Sequence, residues 1–195
     1  MTEIRSTRAP GRSSRAAFIA ATGRLLRRQG YAGTGLSEIV ARSGAPKGSL
    51  YFHFPGGKEE LALAAMKQSS EQLRAAIVAV MEGHESFAGG LGAIIDALGA
   101  GLEASGFRDG CPIATVTLEV AAETESIRSA AAEAFGGWLT ALEDRLRADG
   151  LDGPAAERRA LLALSAIEGA LMLARARREL GPLLAVKQEL LELSG

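Results

Sequence analysis

The chain reads as an all-α protein: an N-terminal three-helix helix-turn-helix unit followed by a larger helical body, about nine helices in total. Three observations predict this. Ala and Leu dominate a sequence that is 47% hydrophobic, and long alternating runs of β-branched residues are missing. Apolar residues recur at spacings of three and four in one segment after another. The breaks between segments carry Gly and Pro, as at Gly30, Pro55-Gly56-Gly57, Gly83 and Gly181-Pro182. With a net charge of only −1, this hydrophobic content argues against a disordered chain.

Each element follows from local chemistry. Residues 1–11 are polar, Arg-rich and contain Pro10-Gly11, which predicts a flexible basic arm. A first helix is expected over 12–29, with Phe18, Ala21, Thr22, Leu25 and Leu26 on one face and Gly30 ending it. A second spans 36–42, with Leu36, Ile39 and Val40 inward and Thr34 or Gly35 as its cap. Glu38 sits where a capping-box acid would be if Gly35 is the cap. Ser43-Gly44-Ala45 makes a turn, and a third helix runs from Pro46 or Lys47 to about Phe54. The fourth runs from about Lys58 to Met81 and is long enough to couple the two parts. Five more are expected at about 85–104, 112–122, 126–149, 155–180 and 183–193. The predicted organisation is therefore an arm at 1–11, a small head at 12–57 and a body at 58–195 whose first helix is the connector.

Composition narrows the function. Cys111 is the only cysteine, so no intrachain disulfide can form. No signal-peptide pattern is seen, and the longest apolar region, 160–174, falls short of the roughly 20 residues a membrane span needs. A cytoplasmic protein without a membrane partner is expected. Residues 1–60 hold ten Arg and Lys against four Glu, a net +6, which leaves −7 on the remainder. A basic head on an acidic body fits a protein whose head alone meets phosphate. Arg24, Arg27 and Arg28 also suit the negative end of the first helix dipole, so their role stays open between the two.

The head reads as a device for laying a short helix in the major groove of DNA. Lys47, Gly48 and Ser49 would meet base edges first: Lys47 donates to guanine, Ser49 donates or accepts, and Gly48 admits a close backbone. Leu50 and Phe54 are expected to anchor the helix inward, and Phe52 is read as a core aromatic. Tyr51 is placed on a base or phosphate, and His53 on a phosphate. Lys58, with nearby backbone N–H groups, and Ser37 are expected on phosphates as well.

These residues resemble the TetR family of bacterial regulators. The likeness is strongest in Gly30-Tyr31, in Gly44-Ala45-Pro46-Lys47-Gly48-Ser49-Leu50-Tyr51-Phe52-His53-Phe54, and in Pro55-Gly56-Gly57-Lys58-Glu59-Glu60-Leu61. Further on, Gly110-Cys111-Pro112-Ile113, Leu118-Glu119 and Glu168-Gly169-Ala170 are similar to the branch named after LmrA and YxaF. That second likeness covers about residues 105–175 in patches. The resemblance implies an all-helical homodimer that binds a palindromic operator and releases it when a small molecule binds.

In the body, Phe87, Leu91, Ile95, Phe107, Ile113, Val116, Phe135, Trp138, Leu142 and Met172 are candidates to enclose an apolar or aromatic ligand. Thr117 and Glu168 are polar residues placed to orient it. Each apolar candidate also has an ordinary reading as core. Ala163, Ala166, Ala170 and Ala174, spaced by three and four, predict a close helix–helix surface; with Leu184 and Leu191 they are read as the dimer face. The other reading buries that helix within its own subunit. Cys111 reads as a packed thiol, and His53 and His84 are too isolated to suggest a metal. No catalytic constellation, cofactor or metal is expected. Two functions stay open at this point. One is a DNA-binding repressor released by a small apolar or aromatic inducer. The other is a helical small-molecule-binding protein without specific DNA function.

Overall fold

The computed structural model describes residues 13–193, so the basic arm predicted at 1–11 lies outside the described residues. Helix α1 (Ser14–Gln29) starts where the Ser13 hydroxyl accepts the Ala16 N–H. It ends at Gly30, whose φ of +72° turns the chain in a way that favours glycine. Helix α2 (Leu36–Ser43) begins at Gly35 with no side-chain cap. Glu38 closes no capping box: its carboxylate accepts from Gln29 at 2.8 Å instead. Gly44, in the left-handed region at φ +66°, makes the turn.

The predicted third helix is split. Lys47–Ser49 is a single 3-10 turn, and only Leu50–His53 (α3) is α-helical. Pro46 supplies a carbonyl that takes both the backbone N–H and the hydroxyl of Ser49, which tightens this first turn. Leu50 and Phe54 are fully buried as expected, and the Phe54 ring meets Phe18 edge-on at 6.4 Å. With Ile39 and Leu61 they form the core of the head.

Helix α4 (Gly57–Glu82) packs on α1 at one end and along α7 (Glu125–Ala148) over its length, so it belongs to both halves. The remaining helices are α5 (Phe87–Ala104), α6 (Pro112–Val120), α8 (Gly153–Arg177) and α9 (Gly181–Glu192). Helix α8 stops earlier than predicted. Arg178 takes a left-handed conformation and its N–H bonds the Ala174 carbonyl, so Gly181-Pro182 opens α9 instead of closing α8.

The longest apolar helix is α5, not the 160–174 stretch. By length and composition alone it could cross a membrane, but Phe87, Leu91, Ile95 and Leu102 are buried in the core. The α4–α5 turn is held by Arg145 of α7, which donates to the carbonyls of Met81 at 2.8 Å and His84 at 2.7 Å and pairs with Asp149 at 2.8 Å. Asp149 in turn accepts the Phe87 N–H.

Candidate nucleic-acid interface and ligand cavity

The turn and α3 present one exposed face. Ser37, Lys47 and Gly48 are exposed, as is Tyr51. Phe52 overturns its expected place: its ring is 82% exposed, because a four-residue helix already uses Leu50 and Phe54 to anchor inward. Ser49 is half-buried, and its hydroxyl proton is committed to the Pro46 carbonyl at 2.7 Å, which leaves only acceptor capacity for a base. His53 is half-buried between the rings of Phe52 and Phe54, at 5.0 and 6.4 Å.

Lys58 is not a freely moving charge. Its ammonium sits 4.3 Å from the centre of the Tyr31 ring, a cation–π contact that fixes its direction. Burial and the neighbouring Glu59 push the Tyr31 hydroxyl above its ordinary pKa, so it stays neutral beneath that cation. Two N–H groups around Lys58 are already engaged: that of Gly56 by Glu60 at 2.8 Å and that of Gly57 by the Phe54 carbonyl.

In the body, α4, α5, α7, α8, the α5–α6 loop and the start of α6, with Arg27 at the end of α1, line a cavity of about 400 Å³. Of the sequence-predicted ligand residues, Leu91, Trp138, Leu142 and Glu168 line it together. Eight do not. Phe87, Ile95, Ile113 and Val116 are buried in the surrounding core. Thr117 donates to the Ile113 carbonyl at 2.7 Å, and Phe135 stands edge-on against Trp138 at 5.4 Å. Phe107 and the exposed Met172 lie instead in an outer groove with Arg28, Arg108, Arg175 and Arg178. The residues missed include Leu73 and Ile77 of α4 and Leu164 and Leu171 of α8. Leu164, Glu168 and Leu171 share one helical face, a spacing visible around the acid in the sequence.

The polar corner of the cavity joins three elements. Glu168 of α8 and Cys111 both face the cavity, and Cys111 caps α6 by accepting the Ala114 N–H at 3.4 Å. Burial raises the pKa of both groups, and the Glu168 charge raises that of the thiol further. Trp138 donates its indole N–H to the Ser70 carbonyl at 3.1 Å, which sets the ring against α4.

The same region grips the end of α1. Gly110 donates to the Arg27 carbonyl at 3.0 Å, and Arg175 donates to the Arg28 carbonyl at 3.1 Å. Arg27 and Gly110 also line the cavity. The wall of the cavity is therefore hydrogen-bonded to the helix that carries the head.

The small-residue stripe of α8 faces the other way from expectation. Ala163, Ala170 and Ala174 are buried inside their own subunit, and Ala166 is half-buried against its core. Their size lets α7 and α9 approach α8 closely. Leu191 lies over Gly92 of α5 in the same subunit, while Leu184 stays exposed. A different stripe of α8 is left uncovered: Leu162, Gly169, Leu173 and Ala176, at spacings of seven, four and three, with open space beside Gly169.

A helix-turn-helix head on a helical body with an internal cavity defines a DNA-binding transcriptional regulator. Residues 18–65 match the model for bacterial regulatory proteins of the tetR family, and residues 88–189 match that for the C-terminal domain of LmrA/YxaF-like transcriptional regulators. The chain is 36% identical to the HTH-type transcriptional regulator LmrA of Bacillus subtilis, across 89% of this chain and 92% of that one. It is 39% identical to an HTH-type transcriptional regulator of Mycobacterium tuberculosis, across 85% of this chain and 86% of that one. A TetR transcriptional regulator from Legionella pneumophila superposes with a TM-score of 0.84 at 20% identity, covering 96% of this chain and all of the other. A cysteine-substituted CifR, solved with a 26 bp operator duplex, superposes at 0.77 with 25% identity, covering 96% and 98%. The chain belongs to the TetR family of transcriptional regulators, in its LmrA/YxaF-like branch.

Proposed function

We propose that this regulator is a homodimeric, cytoplasmic repressor that leaves a palindromic operator when a small apolar or aromatic molecule fills the body cavity. The observation that carries the reading is the double role of Arg27 and Gly110, which line the cavity and are hydrogen-bonded to each other at the end of α1. A ligand that reshapes this wall acts directly on the helix to which the reading turn is packed.

The reading residues on the exposed face are Lys47, Gly48 and Tyr51, with Ser49 as an acceptor. Ser37, His53 and Lys58 meet the flanking phosphates. The dimer forms through the uncovered stripe of α8 and the exposed Leu184 of α9, which replaces the alanine stripe as the proposed interface. Two heads related by a two-fold axis reach half-sites about one DNA turn, roughly 34–36 Å, apart.

The switch is a shift of populations. Ser69, Gln72, Leu73 and Ile77 of α4 line the cavity, so a ligand favours one tilt of α4 over another. It moves the balance only by its difference in affinity for the two arrangements. The test is retardation of the duplex upstream of the protein's own gene, repeated with candidate aromatic compounds. Release by a compound that also perturbs Trp138 fluorescence supports the reading, and ligand binding without any change in DNA affinity refutes it.

A further inference from the structure

We propose that the cavity selects ligands carrying a positive charge on a flat aromatic body, with the Glu168 carboxylate as the counter-ion. This rests on the reading of the cavity as a ligand site and goes beyond it by naming the ligand's charge.

The cavity wall is mainly apolar, and Trp138, Leu91, Leu142 and Leu164 supply much of it. Glu168 enters it from the middle of α8 with no cation paired to it among the described residues. Beside it lies the Cys111 thiol, at most a weak donor. A carboxylate set among apolar groups with no cation beside it is electrostatically unfavourable. Burial raises its pKa accordingly.

The other charged lining groups are Arg27 of α1, which is exposed, and Asp109 from the α5–α6 loop. Neither makes an ion pair among the described residues, so the lining carries two carboxylates against one solvated guanidinium. An anion entering here is set beside the Glu168 carboxyl group. A neutral aromatic gains only contact with the apolar wall. A cation gains that contact and also gives Glu168 the charged partner the fold withholds.

The same event has a structural consequence. A cation that takes the Glu168 carboxylate settles beside Cys111, the cap of α6. Gly110, one residue earlier, holds the Arg27 carbonyl. Charge recognition and the grip on α1 thus share adjacent residues.

Three bicyclic probes of matched size and shape test this on the full-length protein: 1-methylquinolinium, 1-methylnaphthalene and 1-naphthoate. Trp138 is the only tryptophan, so its fluorescence reads binding at the cavity directly. The cation is expected to bind at least about tenfold more tightly than the neutral probe, with the anion weakest. Glu168→Gln, checked for folding by circular dichroism, is expected to bring the cation down to the neutral level. Equal affinity of the three probes for the unaltered protein overturns the proposal, as does failure of the cation to exceed the neutral probe at up to about 1 mM. The comparison needs no variant, so a misfolded Glu168→Gln does not spoil it. If the cation binds selectively but leaves the operator complex intact, charge selection stands and the ligand-released repressor fails.

Discussion

Glu119 of α6 accepts the backbone N–H of Ala32 at 2.7 Å, immediately beyond the glycine that ends α1. Its carboxylate fills the space beside Gly30, where an added Cβ would lie 1.6 Å from Glu119 Oε1. This bond joins the body to the loop between α1 and α2. Glu119→Ala is expected to leave ligand affinity unchanged but to reduce the ligand's effect on DNA binding several-fold, since the coupling is typically only about 1–3 kcal/mol in such systems. Parallel titrations of ligand and operator check this; an unaltered ligand response would remove Glu119 from the pathway.

In the proposed operator complex Lys47 reads the base edges. Lys47→Ala should weaken operator binding by about 1–3 kcal/mol and flatten the preference among operator variants. Lys58, held over Tyr31, should behave differently. Lys58→Ala should weaken all duplexes alike and lower the salt slope by about one unit. Fluorescence anisotropy at several salt concentrations separates the two roles.

In the proposed dimer the uncovered face of α8 is the interface. Leu173→Glu places a charge in the centre of that face and should yield a folded monomer with little operator affinity. Sedimentation velocity reads the mass. A dimer that survives this substitution would move the interface elsewhere.

Arg145 should be the costliest surface-proximal residue to replace. Arg145→Met leaves the Met81 and His84 carbonyls and the Asp149 carboxylate without their shared donor. A loss of about 2–4 kcal/mol is expected from urea denaturation.

The pH dependence follows from Cys111 and Glu168. Both are acids whose pKa is raised by burial, so the folded state holds their protons more tightly than the unfolded chain does. Stability is therefore lost as pH rises through the folded value of each group. For Glu168 the fall begins above the ordinary carboxylate range, and for Cys111 it begins above about 8.5, the free-thiol value. Glu168→Gln should flatten the first fall and Cys111→Ser the second, as measured by urea midpoints across pH. The raised thiol pKa also predicts slow reaction of Cys111 with thiol reagents in the folded protein near neutral pH.

The helices were legible because their signals are local: apolar spacing, Gly and Pro breaks, and caps. Leu50 and Phe54 were legible as anchors for the same reason. Phe52 was not, since four helical residues are too few to show a face. Helix α8 was misread because it carries apolar or small residues on two faces. Ala163, Ala170 and Ala174 form one stripe, and Leu162, Gly169 and Leu173 form another. Spacing alone cannot decide which of these a subunit keeps for itself; that depends on where α7 and α9 pack. Glu168 was legible because it is a lone acid in an apolar run. The thiol beside it on the cavity wall and the bonds at Arg27 and Arg28 bring together residues far apart in the chain, where no local pattern reports them.

The most direct test is the stoichiometry and selectivity of the DNA complex. Purified protein is titrated into a labelled duplex from upstream of its own gene and into a scrambled duplex of equal length, and mass is read by sedimentation. Two protomers per duplex, bound at least about a thousandfold more tightly to the genuine sequence, is the predicted result. Equal affinity for both duplexes, or a single protomer on the genuine one, would contradict it.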